Sequence, residues 1–297
     1  MLNVSKPGES SFLRKISRIR PWGLIRKTRP SSVITLAAAL LFLSFLTFHT
    51  LLPFGNAAPP PSKPGWKLVF SDEFEGAALN RKHWTSHYPW GRTNAGNHEG
   101  QYYPDSHVQV RDGHLELIAG KNPQTPDVGE AGKGFPYASG MIASHGKHAF
   151  RYGYFETRAE LPAGKGIWPA FWLHKADPKG WLREIDVLEN LGHQPDRVHM
   201  TLHYEKEGKH YEQTCAFMGP NFHEGFHTFG VRWKPDALTY YIDGVERCHF
   251  TQAIPQEPMY LIANLAVGGD WPGMPDATTR FPQTLRIDYI RVYREAP

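Results

Sequence analysis

From residue 66 onward the chain alternates polar and apolar side chains in short runs, and it carries almost no apolar spacing of the helical kind. Between Gly153 and Leu161, Tyr154, Glu156, Arg158 and Glu160 fall on one face and Phe155, Thr157, Ala159 and Leu161 on the other, the period-two signature of a half-buried strand. Leu238–Ile242 and Val245–Phe250 flank Asp243-Gly244, a dipeptide that predicts a two-residue hairpin. Leu285 to Tyr293 alternates in the same way and predicts a closing strand. Many short strands, punctuated by 25 Pro and 28 Gly, predict an all-β, antiparallel β-sandwich or barrel over residues 66–297.

The N-terminal part has a different pattern. Val33 to Phe54 is an uncharged run of 22 residues, long enough at about 1.5 Å per residue to cross a bilayer core of roughly 30 Å. Eight Lys/Arg against one acid precede it in residues 1–32. The positive-inside rule therefore predicts a basic cytoplasmic tail (1–32), a transmembrane signal-anchor (33–54) and an extracytoplasmic body at the cell membrane. The alternative is a signal peptide cleaved near Gly55-Asn56-Ala57-Ala58, which would release the body as a secreted or periplasmic protein. Residues 55–65 are proline-rich and predict a linker. Removing the net +7 of residues 1–32 and the charge of Lys63 from the chain's +4 leaves −4 for the body, which excludes nucleic acid as an expected partner. In an exported body, Cys215 and Cys248 are either bridged or two buried thiols, and the sequence leaves both open.

Candidate chemistry concentrates in Glu184-Ile185-Asp186-Val187-Leu188-Glu189. On a strand Glu184 and Asp186 share a face, but strict alternation would drive Glu189 into the core. Burying that carboxylate unpaired is costly, so a β-bulge at Val187-Leu188 is expected to return it to the side of the other two. Crowded acids raise one another's proton affinity. That separates an ionised nucleophile (Glu184) from a protonated acid/base (Glu189), the division of roles a retaining glycosidase needs, with Asp186 orienting Glu184. His199, Thr201 and His203 share a face of the next expected strand, so His203 can reach the cluster. Trp168, Trp172, Trp181, Trp90 and Trp271 supply rings on which the C–H faces of sugars stack.

The runs Gly153-Tyr-Phe-Glu-Thr-Arg158, Gly166-Ile-Trp-Pro-Ala-Phe-Trp172 and Glu184-Ile-Asp-Val-Leu-Glu189 resemble glycoside hydrolase family 16, laminarinase-like in the bulged acidic motif. The resemblance extends over essentially all of residues 66–297. It implies a concanavalin A-like jelly roll and retaining, endo-acting hydrolysis of β-1,3- or β-1,3/1,4-glucan or a bacterial exopolysaccharide. Transglycosylation through the same intermediate and non-catalytic glycan binding are the alternatives. It also implies Asn97, Glu99, Arg158, Trp168, Trp172, His203, Asn264 and Trp271 as cleft residues. Catalysis needs no cofactor on this reading. A structural calcium held by Glu73, the Gly113 carbonyl and Asp288 is similarly implied. The chain is expected to act as a monomer on a polysaccharide. Trp181-Leu182-Arg183 precedes the first Glu where many laminarinases have a small residue, which brings exopolysaccharide depolymerases of the family into consideration. His223-Glu224-Gly225-Phe226-His227 fits the zinc-protease pattern on paper, but that motif needs a helix, and Gly219-Pro220, Gly225 and a following strand signal argue against one.

Overall fold

The computed structural model describes residues 64–122, 134–177 and 183–297. The tail, the apolar run 33–54, most of the linker and Trp181 lie outside the described residues. The strands are β1 (Trp66–Asp72), β2 (Gln101–Tyr102), β3 (Val108–Arg111), β4 (His114–Lys121), β5 (Tyr137–Ala138), β6 (Met141–Ala143), β7 (Gly153–Glu160) and β8 (Ile167–Lys175). There follow β9 (Glu184–Glu189), β10 (Arg197–Lys206), β11 (Lys209–Met218), β12 (His227–Trp233), β13 (Leu238–Ile242), β14 (Val245–Phe250), β15 (Met259–Val267) and β16 (Gln283–Glu295).

They form two sheets. A ten-stranded sheet runs β14-β13-β12-β7-β16-β4-β5-β2, with β1 also on β16 and β3 on β4; a six-stranded sheet runs β11-β10-β9-β8-β15-β6. Pairing is antiparallel among the described strands except for the short β2–β5 contact. Neighbours in sequence are often neighbours in a sheet, as in β8-β9-β10-β11, where a two-residue turn at Glu207-Gly208 joins the last pair. The expected Asp243-Gly244 hairpin is present, both residues at positive φ (51° and 74°) as a two-residue turn of this class requires.

Alternation decides what lies between the sheets. Phe155 and Ala159 of β7, Phe171 and Leu173 of β8, Ile185 of β9, Met200 and Leu202 of β10, and Ile290 and Val292 of β16 meet in one buried cluster. Each such side chain contributes about 1.5–3 kcal/mol on leaving water. A smaller cluster (Tyr88, Tyr103, Met141, Ala143, Ala170, Trp172, Tyr260, Ile262) lies on the opposite face of β6, β15 and β8. There the segment carrying Tyr88 and Tyr103 covers one end of the six-stranded sheet. The other end, across β8 to β11, is left open.

Cys215 of β11 is bridged to Cys248 of β14, Cα atoms 6.4 Å apart, which staples an edge of one sheet to an edge of the other. Closing a chain segment of 33 residues restricts the unfolded state by about 3–4 kcal/mol on a loop-entropy basis.

Two expectations are corrected by the fold. Arg158 lies in the ten-stranded sheet, on the face turned away from Phe155 and Ala159. There it pairs with Asp288 (2.6 Å) and sits 4.7 Å over the Phe226 ring, far from any cleft role. The calcium set does not fit either. Both oxygens of Glu73 accept hydrogen bonds from Arg291 (3.0 and 2.6 Å), and Asp288 is held by Arg158. Guanidinium groups already neutralise the two carboxylates, so their charge is not free for a calcium ion. Residues 223–227 form a turn that runs into β12, not a helix. His223 faces Asn190 (3.3 Å) and His227 faces Asp243 (2.7 Å), so the two imidazoles share no ligand point.

Candidate active site

The acidic motif occupies β9, between β8 and β10. Asp186 pairs with Trp172 and Thr201, while Glu189 pairs with Ala170 and His199. Three steps along β9 thus match two on each neighbour, the extra residue of a bulge. Val187 and Leu188 both enter the core, and Glu189 returns to the face of Glu184 and Asp186. All three acids line one cleft of about 690 Å³. The expected bulge is the device that brings them together.

Around them the cleft collects residues by strand period. β8 presents Trp168, Ala170, Trp172 and His174; β10 presents His199, Thr201 and His203; β15 presents Asn264 and Ala266. Asn97, Glu99 and Trp90 come from the segment before β2, and Trp271 from the turn after β15. Every residue expected in the cleft is there except Arg158. Trp271 depends on the backbone: Gly268 and Gly269 have φ of 76° and 118°, and a Cβ on Gly268 would lie 2.5 Å from Met274 Sδ. The positive φ at both positions is what favours glycine there. Trp271 packs edge-on against Trp168 (5.3 Å) and His199 (4.8 Å), and Trp90 stacks on Tyr88 at 4.7 Å. Trp90 and Trp271 remain 49% and 42% exposed, open ring faces rather than core.

The cleft acids are held by weakly polar partners. Trp168 Nε1 donates to Glu189 (3.1 Å). His203 Nε2 lies 3.2 Å from Asp186 Oδ2 and 4.0 Å from Glu184 Oε1. Asn97 and Gln101 donate to the buried Glu99. Trp172 Nε1 donates to Asn264 (2.7 Å), whose amide donates to the Tyr103 hydroxyl (3.2 Å). Among the described residues that line the cleft there is no Lys or Arg.

Burial therefore pushes the proton affinity of Glu189 well up, and the nearby Asp186 and Glu184 add to it. Asp186 is raised first by burial. Glu184 is raised by burial and by Asp186, an effect His203 opposes. The contact between the two works in opposite senses, raising Glu184 and lowering Asp186 against the effect of burial. Glu184 keeps 20% of its side chain open to the cleft against 3% for Asp186. Water therefore reaches Glu184 more readily than Asp186 and favours its ionised form by solvation.

Sequence reasoning missed Tyr88, Tyr103, Gln101, His174, His210 and Glu212. His174 was readable, two residues beyond Trp172 on the same strand face. Tyr88, Tyr103 and Gln101 lie in or beside irregular segments that carry no period.

Residues 96–291 match the profile described as "Glycosyl hydrolases family 16". The chain is 33% identical over 260 residues to a beta-glucanase of Rhodothermus marinus, the alignment covering 78% of this chain and 86% of that protein. It is 33% identical over 276 residues to glucan endo-1,3-beta-glucosidase A1 of Niallia circulans, covering 79% of this chain but 39% of that longer protein. The catalytic domain of an endo-1,3-beta-glucanase (laminarinase) from Thermotoga petrophila superposes with a TM-score of 0.70 at 36% identity, over 78% of this chain and 99% of that one. With a two-sheet fold, a bulged acidic strand and these likenesses, the chain belongs to glycosyl hydrolases family 16.

Proposed function

We propose that the cleft hydrolyses β-1,3- or mixed β-1,3/1,4-linked glucan internally, with retention, using Glu184 as nucleophile and Glu189 as acid/base. The bulge on β9 carries this reading, because it sets both glutamates and Asp186 against the same bound sugar. The environments separate the roles. Glu189, covered and flanked by two other acids, keeps its proton and gives it to the leaving oxygen. Glu184, wetter and nearer the positive edge of His203, is ionised and attacks the anomeric carbon. Asp186, two residues along the same face of β9, orients the Glu184 carboxylate until the glycosyl-enzyme forms. Glu189, now ionised, then takes a proton from the water that releases the sugar. Trp90, Trp168 and Trp271 offer rings to successive sugar units.

Charge narrows the substrate. Glu99, Glu184, Asp186, Glu189 and Glu212 line the cleft, and no Lys or Arg among the described lining residues answers them, so an acidic exopolysaccharide would be repelled and a neutral glucan is preferred. The names of the relatives, a beta-glucanase and an endo-1,3-beta-glucosidase, support the same class. For location, the basic tail and apolar run 33–54 support an anchored, extracytoplasmic enzyme, and the Cys215–Cys248 bridge suits an oxidising compartment.

The test is incubation of the full-length protein with linear β-1,3-glucan, mixed-linkage glucan and a succinylated exopolysaccharide. Early loss of polymer length and a first-formed product in the β configuration, read by proton NMR, are expected from the two neutral glucans. An initial α product, or cleavage of the acidic polymer alone, would reject the reading; products longer than the substrate would shift it to transglycosylation.

A further inference from the structure

The β10–β11 hairpin carries a second cluster, which shares His203 with the acids and adds His210 and Glu212 of β11. His203 and Glu212 are direct cross-strand partners, and His210 lies two residues before Glu212 on β11. Glu207 and Gly208 close the hairpin with φ of 55° and 73°, which pins this register. His203 Nδ1 lies 2.9 Å from His210 Nε2 and 3.6 Å from Glu212 Oε2. One donor atom from each of the three residues falls within 4.8 Å of the others. Ligands at roughly 2.0–2.1 Å around a tetrahedral zinc stand roughly 3.4 Å apart. The observed spacings bracket that value, and His210 and Glu212 are exposed enough to adjust.

A second observation points the same way. A histidine that binds metal through one ring nitrogen typically gives the other N–H to a carboxylate, which fixes its tautomer. His203 Nε2 lies 3.2 Å from Asp186 Oδ2, a buried oxygen that receives no aligned hydrogen bond. The outer carboxylate of such a site is already in place.

We propose that His203, His210 and Glu212 bind a divalent transition-metal ion of the zinc class, with water completing its shell, and that the bound ion inhibits glycan cleavage. All three ligands line the cleft, so the ion would stand where a sugar unit must lie. It would also lock His203, the imidazole beside Asp186 and Glu184. Ion binding stands by itself; the inhibitory effect rests on the hydrolase reading above.

Full-length protein stripped with a chelator is titrated with Co²⁺, whose d–d absorption reports tetrahedral binding, and with Zn²⁺ by calorimetry. One ion per chain is expected, with affinity falling by roughly ten-fold or more in each of His210→Gln and Glu212→Gln. Zn²⁺ should lower β-glucan cleavage by the wild type, reversibly by EDTA. Each variant, compared with its own metal-free rate, should be less sensitive. No Co²⁺ band at any loading, or an undiminished band in both variants, overturns the site. A protein that shows the band but cuts no glucan keeps the site and rejects the hydrolase reading. Active protein whose cleavage is untouched by bound Zn²⁺ overturns the inhibition.

Discussion

Carboxylates on the ten-stranded sheet and carboxylates in the cleft are the same residue types in opposite company. Glu73 is gripped by Arg291, Asp288 by Arg158, and Glu160 by Arg286 at 2.7 Å. Glu184, Asp186 and Glu189 meet one another, a histidine and an indole N–H. A guanidinium fixes a carboxylate as a permanent anion and makes it structural. Crowding acids together in a water-poor cleft instead leaves protons that can be moved, at a cost in folding free energy. Partner choice, not residue type, divides the scaffold from the chemistry.

Substitution at the cleft should produce the largest effect. Glu184→Gln and Glu189→Gln are each expected to lower kcat on β-glucan by roughly 10²–10⁴-fold or more. An aryl glycoside with a good leaving group separates them, since its departure needs no proton: Glu189→Gln should regain much of the first step and Glu184→Gln none. Equal loss on both substrates would remove the assigned roles. On the other sheet, Arg291→Met should leave kcat alone and destabilise. It leaves Glu73, about a quarter exposed, without its cation and takes Arg291 off the Tyr289 ring. The expected cost is about 2 kcal/mol, below the range for fully buried pairs, or a Tm lower by about 4–8 °C in a domain of this size. An unchanged Tm would mean that this pair does not stabilise the sheet and that the two sheets treat their carboxylates alike.

The cleft should respond in the opposite sense. A carboxyl whose folded pKa is raised contributes stability that is complete below its unfolded pKa, near 4.3 for Glu, and lost as pH rises through the folded value. Burial and neighbouring acids raise Glu189 in this way, so at neutral pH the unfolded chain, which releases the proton readily, gains stability relative to the native state. Glu189→Gln keeps an oxygen for the Trp168 N–H and removes the proton equilibrium. It should raise stability near pH 7 by about 1.4 kcal/mol for every tenfold gain in proton affinity that the cleft confers on Glu189 up to that pH, with the gain disappearing below about pH 4. Thermal melts across pH test it; a variant less stable than wild type at pH 7 would show that Glu189 is not held in its protonated form. Activity of the wild type should fall as pH rises through the Glu189 pKa, where the acid is lost, and again as pH falls and Glu184 protonates.

Much of this was legible in the chain. β7, the β13–β14 hairpin and β16 followed from period two and from Asp243-Gly244. The bulge followed from the cost of burying Glu189, an argument from solvation rather than from pattern. Trp90 and Trp271 announced themselves as rings beside glycines. Period two states which residues share a face; it does not state which sheet a strand joins. That is a long-range fact of chain order, settled by β7 lying between β12 and β16. The buried polar network of Tyr103, Asn264 and Trp172 likewise joins residues 161 positions apart, which no local window contains. The β11 contributions were hidden because its first four residues are all exposed, so neither face stood out.

Arg158 gives the smallest effect and isolates that failure. Its side chain is 39% exposed and paired with Asp288 on the ten-stranded sheet. If the cleft is built from the six-stranded sheet and its flanking segments, Arg158→Met should leave kcat and KM on β-glucan unchanged. It should cost about 0.5 kcal/mol or less in stability, as solvent-screened pairs do, and less still in high salt. A raised KM with an unaltered Tm would put Arg158 in contact with substrate and restore the role that the motif Gly153-Tyr-Phe-Glu-Thr-Arg158 implied. An unchanged KM would leave it among the paired ions of the scaffold, where Asp288 and the Phe226 ring already account for it.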